Sequence, residues 1–380
     1  MRHYFDWAAS AIPDESETDS LICGNPPIYG NPSSRHSEGR NAKDALESAR
    51  SRCAAVLGTA PQNLYFTSGG TEANCIALFS NLLKPNGRII ASAAEHHSIT
   101  ENIETLKKLK KPVGEIKIDS FGRVSPQLFA QALDRYGDVR FAAVMAVNNE
   151  TGTINDLCAL KEVLRQNKGP PVHIHCDMVQ AVGKVPLHFD ACDSAAISAH
   201  KIGGPRGIGL LYLRNPQFNA LYSGGGQERK IRPGTENVLG ALALAACLEK
   251  HASFSVAAEQ NKLAGQRMEK LISALSLIER CIIIPKQRID NAQFFSPYIL
   301  QAAFKGIPGA VMVRTLDDEG FAVSTGSACS SSSPERPVLS AMGIAKNISL
   351  WGIRISQAWS TSKEQIDLLI QAIEKVLKNL

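Results

Sequence analysis

Apolar and polar positions follow each other in a repeating order along this chain. Short apolar runs are each followed by a polar patch of Gly, Ser, Asn or His, and then by a segment with apolar residues at helical spacing. This order is typical of an α/β protein with a mainly parallel sheet. The pattern predicts strands at 63–66, 88–91, 141–147, 172–176, 195–198 and 209–213.

Two helices have the clearest periodicity. The first, at 40–57, carries apolar residues three and four positions apart and is followed by Gly58, which we predict as its C-cap. The second lies at the C-terminus, where the Thr-Ser-Lys-Glu run at 361–364 predicts a capping box. An apolar stripe from Ile366 to Leu377 follows this run, so we expect one face of the helix to be buried.

The order of elements also suggests two domains. A helical segment at 236–251 is followed by shorter strands at 280–284 and 301–304 and by two helices. We therefore predict a large domain over 12–252 and a smaller α+β domain formed by 1–11 together with 253–380.

Composition narrows the class of protein. The 380 residues are 44% hydrophobic and 20% charged, as expected of a folded globular chain. The net charge of +5 is spread without a long basic cluster, and no apolar run reaches ~18 residues, so we expect neither nucleic-acid binding nor a membrane span. Nine cysteines without a CxxC pair argue against a disulfide framework or a zinc ribbon and favour a reducing cytoplasm; we predict no metal site.

Polar side chains follow five of the predicted strands. Ligands of open parallel sheets bind beyond the carboxyl ends of the strands, so these side chains are candidates for one common site. They lie in the runs Thr67-Ser68-Gly69-Gly70-Thr71-Glu72-Ala73, Glu95-His96-His97, Asn148-Asn149-Glu150, Asp177-Met178-Val179-Gln180 and Ser198-Ala199-His200-Lys201.

The glycine pair at 69–70 stands between a predicted strand and a helix that we expect to begin near Glu72. Glycines expose backbone N–H groups and a helix N-terminus favours anions, so the segment is a candidate phosphate site. An ordinary turn between strand and helix is the alternative. Neither a Walker A loop nor the G-x-G-x-x-G dinucleotide fingerprint is present.

Lys201 follows an apolar strand directly, where a cation would be costly to bury. A neutral amine bound to a carbonyl as a Schiff base would remove that cost, although a surface lysine at the start of a loop fits the same pattern. Asp177, at the end of another strand, could pair with a pyridine nitrogen or could cap a helix. Together with a phosphate site, the pair points to pyridoxal phosphate (PLP).

A series of motifs in a fixed order covers nearly the whole chain, and through them the sequence resembles the cysteine desulfurases of the NifS/IscS type, which are class-V aminotransferases with the fold of type I PLP enzymes. Besides the five runs given above, the motifs are Tyr29-Gly30-Asn31-Pro32-Ser33-Ser34-Arg35-His36, Gly224-Gly225-Gly226-Gln227-Glu228-Arg229, Arg232-Pro233-Gly234-Thr235-Glu236-Asn237, Ser324-Thr325-Gly326-Ser327-Ala328-Cys329 and Ile353-Arg354-Ile355-Ser356.

The resemblance implies a role for each cofactor-binding residue. Lys201 would bind PLP covalently, Asp177 would pair with the pyridinium nitrogen, and Gln180 would bond the phenolic oxygen. His96 would stack on the ring and assist proton transfer. The phosphate would be held by Gly70, Thr71, Ser198 and His200, joined by Thr235 from the second subunit of a homodimer.

The resemblance also implies the reaction. Asn149 and Arg354 would bind the carboxylate of L-cysteine, and the freed Lys201 amine would remove its α-proton. Cys329, in a polar stretch of small residues, would attack the substrate sulfur, giving L-alanine and a persulfide for transfer to an acceptor protein in Fe–S cluster assembly or thiolation. For any cysteine, a buried structural role is the alternative.

Two segments depart from the family pattern. Asp6-Trp7-Ala8-Ala9-Ser10-Ala11 lacks the two threonines usual after the first Asp, and Ser356-Gln357-Ala358-Trp359 replaces Ser-Leu-Gly-Arg. Other readings therefore stay open: a selenocysteine lyase, another PLP enzyme acting on a small amino acid, or a specialised paralogue without catalysis.

Overall fold

A seven-stranded sheet forms the centre of the chain, as seen in a computed structural model that describes residues 2–14, 28–82, 87–215, 218, 220, 222–326 and 336–380. Its strand order is β2-β8-β7-β6-β5-β3-β4, and β3 to β7 pair in parallel, while β8 runs antiparallel to β7 and β2. The prediction of a mainly parallel α/β sheet is confirmed. The strands are β2 (Leu64–Thr67), β3 (Arg88–Ser92), β4 (Val113–Ile116), β5 (Val139–Ala143), β6 (His173–Asp177), β7 (Ser194–Ser198) and β8 (Gly209–Leu213).

Helices cover both faces of this sheet, and for this reason its central strands are buried on both sides rather than at alternate positions. β7 and β8 are buried at every position. The helices are α1 (Ser37–Leu57), α2 (Gly70–Phe79), α3 (His97–Lys108), α4 (Pro126–Tyr136), α5 (Leu157–Gln166) and α6 (Val238–Ala252). One hydrophobic core lies between the sheet and helices α1, α4, α5 and α6, and a second lies between the sheet and helices α2 and α3 on the other face.

The rest of the described chain forms two smaller sheets and five more α-helices. An antiparallel sheet has the order β12-β10-β9, and a two-stranded parallel sheet joins the N-terminal β1 to β11. The division into domains at 12–252 stays a prediction. The elements are β1 (His3–Tyr4), α7 (Phe254–Ser276), β9 (Cys281–Ile284), β10 (Ile299–Phe304), α8 (Gly309–Asp318), β11 (Phe321–Ala322), α9 (Pro337–Ala341), α10 (Lys346–Leu350), β12 (Gly352–Ser356) and α11 (Lys363–Asn379).

Several boundaries differ from the predictions for visible reasons. The strand predicted over 141–147 ends at Ala143, because Val147 forms an isolated bridge with Ile154 instead. α11 is capped by Ser362 with Gln365, one residue later than predicted, because the Thr361 hydroxyl accepts the N–H of Ala358 and is not available to the helix.

The C-cap predicted for α1 is present in the structure. Gly58 caps α1 with a left-handed φ of 65°, and its N–H donates to the carbonyls of Ala54 and Ala55, which confirms the C-cap. None of the helices in the described ranges combines the length and the apolar character needed to cross a bilayer. No group of three or more potential metal ligands is found among the described residues.

Candidate active site

A cavity of about 470 Å³ opens at one edge of the large sheet. β2, β3, β5, β6 and β7 all point their carboxyl ends toward this edge, because the two antiparallel pairings at β8 restore the direction of β2. The cavity is lined by ten of the residues that the sequence singled out, namely Gly70, Thr71, His96, Asn149, Asp177, Gln180, Ser198, His200, Lys201 and Arg354.

The N-terminus of α2 forms one wall of the cavity. Its first amides have no carbonyl partner within the helix and are available to an anion. The turn before it needs glycine, since Gly69 has φ 154° and a Cβ on Gly70 would lie 2.5 Å from Cγ2 of Val179. The helix begins at Gly70, two residues earlier than expected, so the glycine pair itself is part of the wall.

His200 and Ser198 extend this wall from the end of β7. Burial and the nearby Lys201 charge lower the pKa of His200 to about 4, so its imidazole is neutral at pH 7. The exposed Arg206, which the sequence analysis missed, adds a positive charge at the same cavity. This group of side chains and amides suits a phosphate.

Lys201 lies in the short helical turn Ala199–Lys201 and is half-buried rather than buried as the sequence suggested. Its Nζ donates to the carbonyl oxygens of Ala8 and Ala9, each at 2.6 Å. The N-terminal segment therefore lies directly on the lysine, although the two are almost 200 positions apart in the chain. Sequence reasoning noticed this segment only as a departure from the family motif.

Asp177 ends β6, and each oxygen of its carboxylate accepts one hydrogen bond. Oδ1 accepts the N–H of Val179 at 2.9 Å, and Oδ2 accepts the side-chain N–H of Asn74 at 2.8 Å. The side chain does not cap a helix, so that alternative is removed for Asp177. An ionised carboxylate held by two donors is a suitable partner for a protonated ring nitrogen.

The orientation of the Gln180 amide is fixed by its two partners, one of which is a buried lysine that the sequence analysis missed. Lys184 Nζ donates to Gln180 Oε1 at 2.9 Å, and Gln180 Nε2 donates to the carbonyl of Ala8 at 2.8 Å. Because the carbonyl of Ala8 can only accept, Nε2 must face Ala8 and Oε1 must face Lys184. Burial lowers the pKa of Lys184 to about 7, and the charges of Lys201 and Arg354 act in the same direction.

Arg354 and Asn149 lie next to each other in the cavity. The guanidinium of Arg354, 1% exposed, donates from Nη1 to the carbonyl of Asn149 at 2.9 Å and from Nη2 to Asp6 Oδ1 at 2.8 Å. Its Nε is buried without a partner among the residues the structure describes. The ion pair with Asp6 holds the guanidinium in place, as the approach of a carboxylate requires.

The comparisons with known proteins agree with this architecture. A family model described as "Aminotransferase class-V" matches residues 3–369. The chain belongs to this family. A "NifS/IcsS protein homolog" of Lactobacillus delbrueckii subsp. bulgaricus is 35% identical over 388 residues, with 99% of this chain and 97% of that relative covered. "Cysteine desulfurase IscS" of Dictyoglomus turgidum is 32% identical over 391 residues, with 99% and 95% covered.

Solved structures confirm the fold of the class-V aminotransferases. A structure described as a "NIFS-LIKE PROTEIN" superposes with a TM-score of 0.89 at 32% identity and covers 100% of both chains. A structure described as "SspA in complex with cysteine" has a TM-score of 0.80 at 25% identity and covers 95% of this chain and 100% of that one. The predicted fold and the family resemblance are both confirmed.

One predicted site residue, Thr235, does not line the cavity, and another, Cys329, lies outside the described residues. Thr235 is exposed and is not among the residues that line the cavity, and it was expected to serve a second subunit. Cys329 falls in 327–335, outside the described residues. Its role stays a prediction.

Glu95, next to His96, is a second buried acid near the site that the sequence analysis did not single out for a role. Its Oε1 accepts the N–H of Met145 at 2.7 Å, and its Oε2 has no partner in the described part of the chain. Burial raises the pKa of Glu95 to about 8, and the charge of Asp177 adds to the increase. Glu95 is therefore protonated at neutral pH.

Glu95→Gln is expected to remove part of the pH dependence of stability. Between pH 4.5 and about 8 the folded protein keeps the Glu95 proton and the unfolded chain does not, so this residue makes the free energy of unfolding fall as the pH rises. The contribution is at most about 5 kcal/mol over that window. Urea unfolding of the wild type and of Glu95→Gln at a series of pH values measures this contribution. Subtracting one free energy of unfolding from the other removes the contributions of the other titrating groups. Equal pH dependence in both would contradict a protonated Glu95.

Proposed function

We propose that the protein is a PLP-dependent cysteine desulfurase. One observation carries the proposal: the Lys201 amine, the Asp177 carboxylate and the amides of the α2 N-terminus meet in a single cavity. Relatives that are 31–35% identical over nearly the whole chain are named NifS or IscS homologues or cysteine desulfurases. The structure described as "SspA in complex with cysteine" has the same fold as this chain, and its ligand supports the choice of cysteine as the substrate.

The residues present fit PLP group by group. Gly70, Thr71, Ser198 and His200 would hold the phosphate at the α2 N-terminus, and Asp177 would pair with the ring nitrogen. Gln180 would donate the second N–H of Nε2 to the phenolic oxygen, because the first is taken by the carbonyl of Ala8. When bound at Lys201, PLP supplies an electron sink for bonds at the α-carbon and β-carbon of the substrate.

The chain's own residues then bind and orient the substrate. Arg354 and Asn149 would bind the α-carboxylate, with Asp6 holding the guanidinium in position. Lys201 would take the α-proton once its amine is free. Burial lowers the pKa of His96, an effect opposed by Asp177 and strengthened by Lys201, so a neutral imidazole faces the substrate at pH 7.

Cys329 would complete the reaction as the nucleophile. Its thiolate would attack the substrate sulfur, so that an S–S bond forms and the Cβ–S bond of the substrate breaks. The electron pair of the broken Cβ–S bond stays with the carbon skeleton, which leaves as L-alanine after protonation. Ser324, five residues earlier, pairs with Arg354 through backbone hydrogen bonds of 2.6 and 3.2 Å. Five extended residues span at most about 18 Å, so the length of chain between Ser324 and Cys329 would allow the thiol to approach Arg354.

The proposal includes the wider setting expected from the resemblance. The protein would act in the cytoplasm as a homodimer, with Thr235 of each subunit completing the phosphate site of the other. Its persulfide would pass to an acceptor protein in Fe–S cluster assembly or thiolation. The exposure of Thr235 and its position outside the cavity of its own chain support the dimer.

Incubation of the purified protein with PLP and L-cysteine tests the function. We expect one L-alanine for each sulfur atom removed from L-cysteine, counted as protein-bound sulfur plus released sulfide, and one extra sulfur atom on the tryptic peptide that contains Cys329. Turnover of L-selenocysteine with no sulfur retained from L-cysteine would favour a selenocysteine lyase. Failure to bind PLP at all would favour a paralogue without catalysis.

A further inference from the structure

The structure assigns a positioning residue to this site: we propose that Asn74 links the pyridine-binding carboxylate of Asp177 to the imidazole of His96 and fixes the direction of the hydrogen bonds on both sides. The expected effect of Asn74 on PLP binding rests on the proposed function, whereas its expected effect on His96 does not. Asn74 lies on α2 and has no exposed surface.

All three hydrogen bonds of the Asn74 side chain lie within a buried network. Its Nδ2 donates to Asp177 Oδ2 and to Ser98 Oγ, both at 2.8 Å, and its Oδ1 lies 2.8 Å from Nε2 of His175. Both N–H groups and the carbonyl of the amide are used. No smaller or apolar side chain could make these three contacts at once.

The acceptor character of Asp177 determines which way the amide is turned. An ionised carboxylate only accepts, so Nδ2 must face Asp177 and Oδ1 must face His175. Nε2 of His175 therefore carries the proton, and Nδ1 accepts from Ser194 Oγ at 2.8 Å. Burial lowers the pKa of His175 to about 3, so the ring is neutral and keeps this tautomer at physiological pH.

The second N–H of Asn74 acts on the other side of the site. Ser98 Oγ accepts it and lies 2.9 Å from His96 Nδ1, which also accepts the backbone N–H of Ser98 at 3.1 Å. With its lone pairs facing Asn74, the Ser98 hydroxyl directs its proton to Nδ1. Neutral His96 thus holds its proton on Nε2, and two donors at Nδ1 oppose a second proton there.

One amide therefore serves two residues by different routes. Asp177 is held directly, whereas His96 is held through the Ser98 hydroxyl. Removing Asn74 affects both, but removing the Ser98 hydroxyl affects only His96. A side chain that merely filled space in the core would show no such pattern.

The first test compares two variants that separate shape from hydrogen bonding. Asn74→Leu nearly keeps the volume of the side chain but removes all three hydrogen bonds, and Asn74→Ala removes the volume as well and leaves a small cavity. We expect both variants to weaken PLP binding by roughly ten-fold, because Asp177 loses the same side-chain donor in each. Equilibrium titration of the coenzyme-free chain with PLP measures this. A wild-type PLP affinity in Asn74→Leu would overturn the proposal.

The second test follows the His96 imidazole by NMR in the full chain labelled with ¹⁵N-histidine. Ser98→Ala removes a donor from Nδ1 and is expected to raise the pKa of His96 by about half to one unit. Asn74→Ala should raise it as well, and the double variant should not exceed Ser98→Ala alone, since Asn74 acts through Ser98. Additive shifts would refute the link. The charges that bear on His96, those of Asp177, Lys201, His97 and Arg354, are unchanged in these variants.

Asn81→Ala is the matched control. Asn81 is buried just beyond the other end of α2 and donates to the carbonyls of Ala77 and Leu78, away from the cavity. We expect it to lower stability without changing the PLP affinity or the His96 titration. If it reproduces the Asn74→Ala effects, the role is structural only. If the wild type binds no PLP, the proposed function fails and the His96 titration alone decides the link.

Discussion

Lys201→Ala is expected to lower the rate of alanine formation from L-cysteine by more than about 10³-fold, because it removes both the covalent anchor of PLP and the base that takes the α-proton. The phosphate wall at α2 and the Asp177 carboxylate remain, so PLP should still bind, but without a covalent bond. Borohydride treatment followed by peptide mapping should modify Lys201 in the wild type and leave no lysine modified in the variant.

Lys201→Ala also tests whether the Lys201 side chain holds the N-terminal segment in place. Lys201 is hydrogen-bonded to the carbonyls of Ala8 and Ala9, so its loss is expected to loosen residues 8–9 in hydrogen exchange. Lys161→Ala, a substitution at a lysine outside the cavity, serves as the control and should keep full activity. Covalent PLP on a lysine other than Lys201 would remove the basis of the assigned site.

Cys329→Ala has the second large expected effect. The variant should bind PLP with the absorbance of the wild type, because none of the residues proposed to hold PLP changes, yet its alanine formation should fall by about 10²-fold or more for lack of a sulfur acceptor. Absorbance after reconstitution and amino-acid analysis of the product separate the two properties. No extra sulfur should be found on any peptide.

Cys158→Ala is the matched control for this variant. Cys158 is an exposed free cysteine of α5, and the other six cysteines that the structure describes are all less exposed. Burial raises the pKa of five of these six. Its loss should leave both alanine formation and the persulfide unchanged. Alanine production at the wild-type rate by Cys329→Ala would contradict a persulfide on this residue. Retained turnover of selenocysteine alone would point to a lyase that does not need the thiol.

The sheet could be predicted well because its strands are buried on both faces and bounded by polar residues. The strand at Gly209–Leu213 was predicted to the residue. β4 was missed because Val113–Ile116 is short, half-exposed and contains a glycine and a glutamate, so it carries no apolar run. β1 and β11 were missed because two residues cannot produce a periodic pattern.

The two departures from the family motif came together only in the folded chain. Trp7 and Trp359 pack edge to face with ring centroids 5.0 Å apart, and Trp359 stacks on His251 at 3.9 Å. In the sequence they are two unrelated changes, more than 350 positions apart. Their contact makes them one altered cluster beside the turn that carries Lys201, because a Cβ on Gly203 would lie 3.1 Å from the Trp359 ring.

The sequence by itself determined the α/β class, the family and ten residues of the cavity, because each lies directly after a buried strand or in a motif of fixed spacing. Only the tertiary structure decided how those residues are held. Lys184 orients Gln180, Asp6 pairs with Arg354, and Asn74 connects Asp177 to Ser98. Such contacts depend on the direction and burial of side chains that are distant in the chain, or on backbone turns between near neighbours, and periodicity carries no information about either.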